Sequence, residues 1–213
     1  MVFNVEKLKE DINGMQAKGI KVLIAVGGVS NPDWTNYSAT SVASLAKALG
    51  VDGIDIDYEP GLGAYSSTEI LKILSDTRAA LGNEPILSVA TTAGKTGESL
   101  GWGISASDVK AANSQSASIG LINLMSYKSE AIECYQAFRN AAASAIINIG
   151  IDANTSAVSG GDTQITSISD IKDDVAFLAS ESNAGVMIWV AAISVTNSIP
   201  QTLDLIKSLY QNS

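Results

Sequence analysis

Six short apolar runs, set apart by segments of helical period, leave this chain few folds to choose from. The runs are Lys21–Val26, the stretch from Val51 to Pro60, Pro85–Thr91, Ile119–Met125, Ile146–Ile151 and Ala184–Val190. Each is strand-length and rich in β-branched residues. The segments around them carry helix signals. Asn4 can cap a first helix with Val5, Leu8, Ile12 and Met15 on one face and Gly19 as its stop. Ser41 can cap a second, with Val42, Leu45, Ala46 and Leu49 inward and Gly50 after it. Ser66-x-x-Glu69 has the form of a capping box, opening a helix that buries Ile70, Ile73, Leu74 and Leu81 and stops at Gly82. Further helices are expected over Ala106–Asn113, Glu130–Ala145 and Ser169–Ser180, and a closing one from Pro200 with Leu203, Ile206 and Leu209 inward. Strict alternation of strand and helix means an α/β fold with a parallel sheet and right-handed crossovers. Two architectures satisfy that: an open doubly wound sheet or a closed barrel. No linker divides residues 1–213, which read as one domain, and no Gly-rich phosphate fingerprint is present.

The second run carries the chemistry. In Val51-Asp52-Gly53-Ile54-Asp55-Ile56-Asp57-Tyr58-Glu59-Pro60, a period of two puts Asp55, Asp57 and Glu59 on one face and Ile54, Ile56 and Tyr58 on the other. The isoleucine side is packed. On the other side three carboxylates follow one another with no Lys or Arg nearby in sequence, and such neighbours raise one another's pKa. A strand carrying that cost is a candidate reaction site, against the plainer reading of a solvated acidic strand end. Asp52 has the opposite parity, which suits a turn or capping role.

Composition narrows the chemistry. The chain has no histidine, which removes the Ser-His-Asp triad, the Cys-His pair and the His-ligated zinc site. Its single cysteine, Cys134, allows no intramolecular disulfide and reads as a small apolar helix residue. With 13 basic against 22 acidic residues the net charge is -9, which disfavours nucleic acid and anionic membrane as partners and suits a neutral substrate. No apolar run is long enough for a transmembrane helix. The N-terminus runs straight into a charged helix without a signal-peptide core, so the expected compartment is the cytoplasm, or outside the cell if a leader has been removed.

At this point the residues resemble a family. Asp52-x-x-Asp55-x-Asp57-x-Glu59 resembles the signature of glycoside hydrolase family 18, the chitinases and related enzymes. Ala25-Val26-Gly27-Gly28 is similar to the family's Ser-x-Gly-Gly strand end, with Ala in place of Ser. Met125-Ser126-Tyr127 resembles its Met-x-Tyr-Asp, with Lys128 in place of the Asp, and Gly185–Trp189 resembles its last strand, whose Trp floors the sugar site. The likeness runs from about Leu8 to Leu209. It implies a TIM-type (β/α) barrel in which the Gly-Gly strand is the third of eight and the acidic strand the fourth. Six strand-helix units are recognisable here, so the barrel is expected to be truncated at its N-terminal side. The exposed edge beside Lys21–Val26 is then expected to be covered by a second copy or by unusual packing.

The same resemblance implies substrate-assisted, retaining hydrolysis of β-1,4-linked N-acetylglucosamine polymers (chitin or chito-oligosaccharides), with no cofactor and no metal. Glu59 would be the acid, Asp57 would hold the acetamide, Asp55 would share a proton with Asp57, and Tyr127 would donate to the acetamido oxygen. Trp189 would stack on the sugar, with Met125, Gly27 and Gly28 around it. Trp34 and Trp102, in loops after strands, would either extend the sugar platform or pack as ordinary loop aromatics. Three alternatives stand beside this reading: a chitinase-like binding protein without catalysis, an endo-β-N-acetylglucosaminidase acting on glycan cores, and a hydrolase using Asp55, Asp57 and Glu59 to hold Mg²⁺ or Mn²⁺.

Overall fold

The computed structural model describes residues 4–31, 33–61, 63–101, 103–127, 130–152 and 168–189, together with Asp204 and Lys207. Trp102, Lys128 and the closing helix expected at Pro200 lie outside the described residues. In order, the elements are α1 (Val5–Gln16), β1 (Leu23–Gly27), α2 (Ala39–Leu49), β2 (Gly53–Asp57), α3 (Ser67–Leu81), β3 (Ile86–Thr91), α4 (Ala106–Ser114), β4 (Leu121–Leu124), α5 (Ala131–Ala141), β5 (Ile146–Asp152), α6 (Ile168–Leu178) and β6 (Ala184–Trp189). Among the described residues no helix is long and apolar enough to cross a membrane.

All six strands are parallel and lie in chain order, β1-β2-β3-β4-β5-β6. That order decides between the two architectures. A doubly wound sheet reverses direction at a switch point, whereas consecutive right-handed crossovers keep every helix on one face and build a barrel wall. The fold is therefore a TIM-type (β/α) barrel with six recognisable units. The sheet is open: among the described residues, β1 and β6 each keep one unpaired edge.

The outward face of the sheet is the core. Ile54, Ile56 and Tyr58 from β2 and its end, Leu87 and Val89 from β3, Ile122 and Leu124 from β4, and Ile147 and Ile149 from β5 are fully buried against Ile70 and Leu74, Val109, and Tyr135 and Phe138 of the helices. Each such side chain contributes roughly 1.5–3 kcal/mol. Cys134 belongs to this layer; burial and the charge of Glu98 push its thiol up to about 12, so it is inert. The inward face carries the alternate residues, among them Ala25, Asp55 and Ser88 in one paired row and Gly27, Asp57 and Ala90 in the next.

Several boundaries differ from the sequence reading. The second helix starts at Ala39, because the Ser38 side chain, not that of Ser41, accepts the cap bond, from the Ser41 N–H. The helix read over Glu130–Ala145 ends at Ala141; its alanine-rich tail has helical propensity, but the Arg139 side chain, from the helix's own last turn, takes the Ala143 and Ala145 carbonyls. On α1 only Ile12 is buried, and Val5 and Met15 stay exposed, since this helix meets little beyond α2. The Ser66–Glu69 box forms by half: Ser66 accepts the Glu69 N–H, but the Glu69 carboxylate accepts the Tyr58 hydroxyl at 2.5 Å.

Three polar side chains tie the N-terminal ends of the strands together, in pairs. Asp52 accepts the Val22 N–H and the Gln16 amide and pairs with Lys21 at 2.8 Å, joining the starts of β1 and β2; these donors hold its carboxyl down at about 2. Buried Arg78, in the last turn of α3, donates to the carbonyls of Gly82 and Pro85 before β3 and of Ala117 and Ser118 before β4. Arg139, in the last turn of α5, does the same for Ala143 and Ala145 before β5 and Ser182 and Asn183 before β6. A guanidinium suits this work because its fork spans several carbonyls at once. Arg78→Ala should strand buried carbonyls in two loops and cost about 3 kcal/mol. Arg78→Lys should recover part of that loss, and urea unfolding midpoints of the three proteins check the order.

Candidate active site

The site lies at the C-terminal ends of the strands, on the inward face. Asp55 and Asp57 are the inward residues of β2, and Glu59 follows just past its end. Tyr58 points the other way and is fully buried, so β2 keeps its period of two past its last ladder residue.

Asp55 is held from the side. It accepts a hydrogen bond from the Ser88 hydroxyl on β3 and interacts with the Asn123 side chain on β4. The Asn123 amide donates to Ser88 Oγ at 3.4 Å and its carbonyl accepts from Asn148 Nδ2 of β5 at 2.9 Å. This polar row crosses four strands at mid-height of the inward face. Burial raises the Asp55 pKa, and the Ser88 and Asn123 bonds oppose it. Sequence reasoning did not assign Ser88 or Asn148 to the site. Their signal was present: each is a lone polar residue within an apolar strand, with inward parity.

Asp57 and Glu59 form a coupled pair joined by a side-chain hydrogen bond. Burial, then the charge of Glu59, then that of Asp55 push Asp57 up to about 7. Burial also raises Glu59, against the hydrogen bond from Asp57 and one from the Val29 N–H. Both carboxyls are thus pushed toward keeping a proton, and as close neighbours they titrate jointly. Asp55, engaged by Ser88 and Asn123, acts on Asp57 through its charge, as Glu59 does more strongly. Asp57 Oδ1 is buried without a hydrogen-bond partner. A buried acceptor in that state costs stability unless something donates to it.

The glycine pair explains itself at Asp57. Gly28 N–H donates to the Asp57 carbonyl at 2.8 Å. A Cβ on Gly27 would fall 2.1 Å from that carbonyl oxygen and 2.5 Å from the Trp34 ring, and Gly27 has φ +112. Only glycine lets the two strand ends approach this closely. What the pair does in the structure is hold Asp57 and deliver the Val29 amide to Glu59.

Across the face, the Tyr127 ring lies beside Gly150 of β5, where a Cβ would sit 2.8 Å from Tyr127 Cε1 and 3.0 Å from Met187 Cε. Met125, one residue past β4, keeps the chain in line by donating its N–H to Thr91 O at 2.8 Å. Trp189 ends β6 opposite Asp152, with inward parity shared with Met187, and is 53% exposed. β4 is two strands from β2, about 10 Å along the sheet. Trp34 is a correction. It is 7% exposed, stacked 5.3 Å from Tyr58 and 5.5 Å from Tyr37 behind Gly27, so it supports the acidic strand from the core side and offers no sugar platform. Among the described residues no group of three or more His, Cys, Asp or Glu has the arrangement of a metal site; Asp55 turns to Ser88 while Asp57 turns to Glu59.

The family model of the glycosyl hydrolases family 18 matches residues 3–167. Solved chitinases share the fold. One from Rhizomucor miehei is 14% identical, with 98% of this chain and 88% of that one covered and a TM-score of 0.66. A family 18 chitinase from Chromobacterium violaceum is 16% identical, with 97% and 69% covered and a TM-score of 0.69. Active domain 2 of a thermostable chitinase from Pyrococcus furiosus, solved as catalytic-site mutants with chito-oligosaccharides, is 9% identical, with 99% and 79% covered and a TM-score of 0.69. No curated protein sequence matches the chain.

The raised Asp57 pKa has a stability consequence. Unfolded, the carboxyl titrates at about 3.9, while folded it titrates at about 7. Between those values the folded state binds the extra proton, so stability is full below the lower value and falls as pH rises through the upper one. Asp57→Asn should remove this loss and melt a few degrees above the wild type at pH 8, with the gap closing toward pH 4. Asp174, also pushed to about 7 by burial and by Asp170 and Asp173, adds the same slope to both proteins and cancels in the difference. Thermal melts of both across that range check it.

Proposed function

The chain belongs to glycosyl hydrolase family 18, and on that premise we propose that it hydrolyses β-1,4-linked N-acetylglucosamine polymers, chitin or chito-oligosaccharides, with retention. The observation that carries the reading is the Asp57–Glu59 pair: two neighbouring carboxyls whose pKa values are raised, and a buried Asp57 oxygen with no hydrogen-bond partner. An N-acetyl group supplies what that oxygen lacks, a neutral N–H.

In this mechanism Glu59 gives its proton to the glycosidic oxygen as the C1–O bond breaks. The acetamido oxygen of the same sugar attacks C1 and forms a cyclic oxazolinium ion. Asp57 accepts the acetamido N–H and balances the positive charge, a preorganised electrostatic contribution in a site of low dielectric. Glu59, now ionised, takes a proton from water as that water attacks C1, which opens the ring and restores the starting state. Tyr127 donates to the acetamido oxygen, and Trp189 stacks on the apolar face of the sugar. Asp55 works from below through its charge on Asp57.

Glu59→Gln should lower kcat by about 10²–10⁴-fold on a fluorogenic chito-oligosaccharide, and turnover that survives it would defeat the mechanism. Wild-type kcat should fall as pH rises past about 7, where the pair loses its proton. Activity on an N-glycan core instead of a chito-oligosaccharide would assign the chain to the endo-N-acetylglucosaminidase reading. Because the barrel wall is open, sugar binding without turnover is the outcome that would favour a chitinase-like binding protein.

The edge of β1 that is unpaired among the described residues supports a second proposal: a second copy of the chain covers this edge. Sedimentation equilibrium should give a dimer mass, and a charge placed at Ala25 should yield monomers. A monomer for the wild type sinks this proposal.

A further inference from the structure

We propose that Tyr58 is a positioning residue that fixes the Asp57–Glu59 pair by locking the end of β2 into the N-terminus of α3. The proposal rests on the hydrolase reading of that pair and names what holds it in place.

Tyr58 sits between the two acids in sequence and is fully buried on the opposite face. Its hydroxyl donates to Glu69 Oε2 at 2.5 Å, and the Ser66 N–H faces the hydroxyl oxygen itself from the other side. Ser66 is the N-cap of α3 and Glu69 its third residue. In a closed capping box the glutamate would take the Ser66 N–H directly. Here the Tyr58 hydroxyl is inserted between them, so the box closes only through the catalytic strand. At Ser105 and Asp108 of α4 a tyrosine, Tyr65, also donates to the carboxylate, but the box closes directly, so the inserted hydroxyl at α3 is particular to that helix.

The rest of the surroundings agree. The Tyr58 ring is packed between Trp34, at 5.3 Å, and Tyr65, at 6.3 Å, and the Tyr58 carbonyl accepts the Gly103 N–H at 3.2 Å. Tyr65, at the other end of the loop after Glu59, donates its own hydroxyl to Asp108. The Glu59–Ser66 loop is therefore tied at both ends through a tyrosine hydroxyl to a carboxylate in the first turn of a helix. Removing the Tyr58 hydroxyl frees Glu69 to take the Ser66 N–H itself. The helix keeps its cap, but the strand end loses its fixed height against α3. That separates positioning from folding.

The test is Tyr58→Phe, with Glu69→Gln and Glu69→Ala beside it. Tyr58→Phe should fold, with kcat reduced by roughly ten- to a hundredfold and KM within about twofold, as for a small misplacement of a reacting group. Glu69→Gln, whose amide oxygen still accepts the hydroxyl, should keep kcat near wild type, and Glu69→Ala should behave like Tyr58→Phe. Carboxyl ¹³C NMR titration should move the Asp57 and Glu59 midpoints toward ordinary carboxylate values in Tyr58→Phe and Glu69→Ala, and leave them in place in Glu69→Gln. Unchanged kcat and unchanged midpoints in Glu69→Ala overturn the proposal, whether or not Tyr58→Phe folds. If the wild type itself shows no turnover, the hydrolase reading fails, and the titration alone still decides the role of Tyr58.

Discussion

Repulsion between like charges at the end of one strand is the constraint around which this protein is arranged. Asp55, Asp57 and Glu59 share a face at two-residue intervals, and among the described residues no cation pairs with them. Such a strand can be buried only if the carboxyls hold protons or find donors. The structure divides those remedies by depth. Asp55, lowest, takes donors from Ser88 and Asn123. Asp57 and Glu59, nearer the mouth, have their pKa values raised, so both are pushed toward the neutral form. The energetic penalty and the acid function have one cause, since a carboxyl that keeps its proton near neutrality can deliver it.

The side away from the acids answers to the same constraint. Trp34, Tyr37, Tyr58 and Tyr65 form an aromatic layer beneath the site, and Gly27 is small because the Trp34 ring and the Asp57 carbonyl crowd its Cα. A pair of neighbouring carboxyls is sensitive to displacement, because Coulomb energy in a poorly solvated site changes steeply with distance. Large rigid rings behind the strand limit that displacement.

Much of this was legible in the sequence, and the parts that were not share a cause. The face of each acid followed from period two, the strand-helix alternation gave the parallel sheet, and Gly27-Gly28 marked a close approach. Glycine, charge and period are local signals. Trp34 could not be placed, because a loop residue has no period to say which way it faces, and it turned toward the core. The tail of α5 was read as helix because alanine favours helix, while the competing bonds run from the Arg139 side chain to the nearby Ala143 and Ala145 carbonyls and to the distant ones of Ser182 and Asn183. Arg78 bonds only backbone carbonyls, which every residue has, so no pattern of side chains announces its partners. The half-formed box at Ser66 shows the same limit: the motif was correct, and a tyrosine eleven residues from Glu69 took one of its bonds.

The ties at the N-terminal ends of the strands carry a consequence for how such a wall can change over evolutionary time. Asp52 joins β1 to β2, Arg78 joins β3 to β4, and Arg139 joins β5 to β6. None of the three crosses from β2 to β3 or from β4 to β5, where the ladder and the inward side chains make the connection. Strands are thus fastened in twos. A recombination event that cuts between pairs deletes or adds two strands with their helices and leaves every fastening whole; a cut inside a pair strands a buried charge.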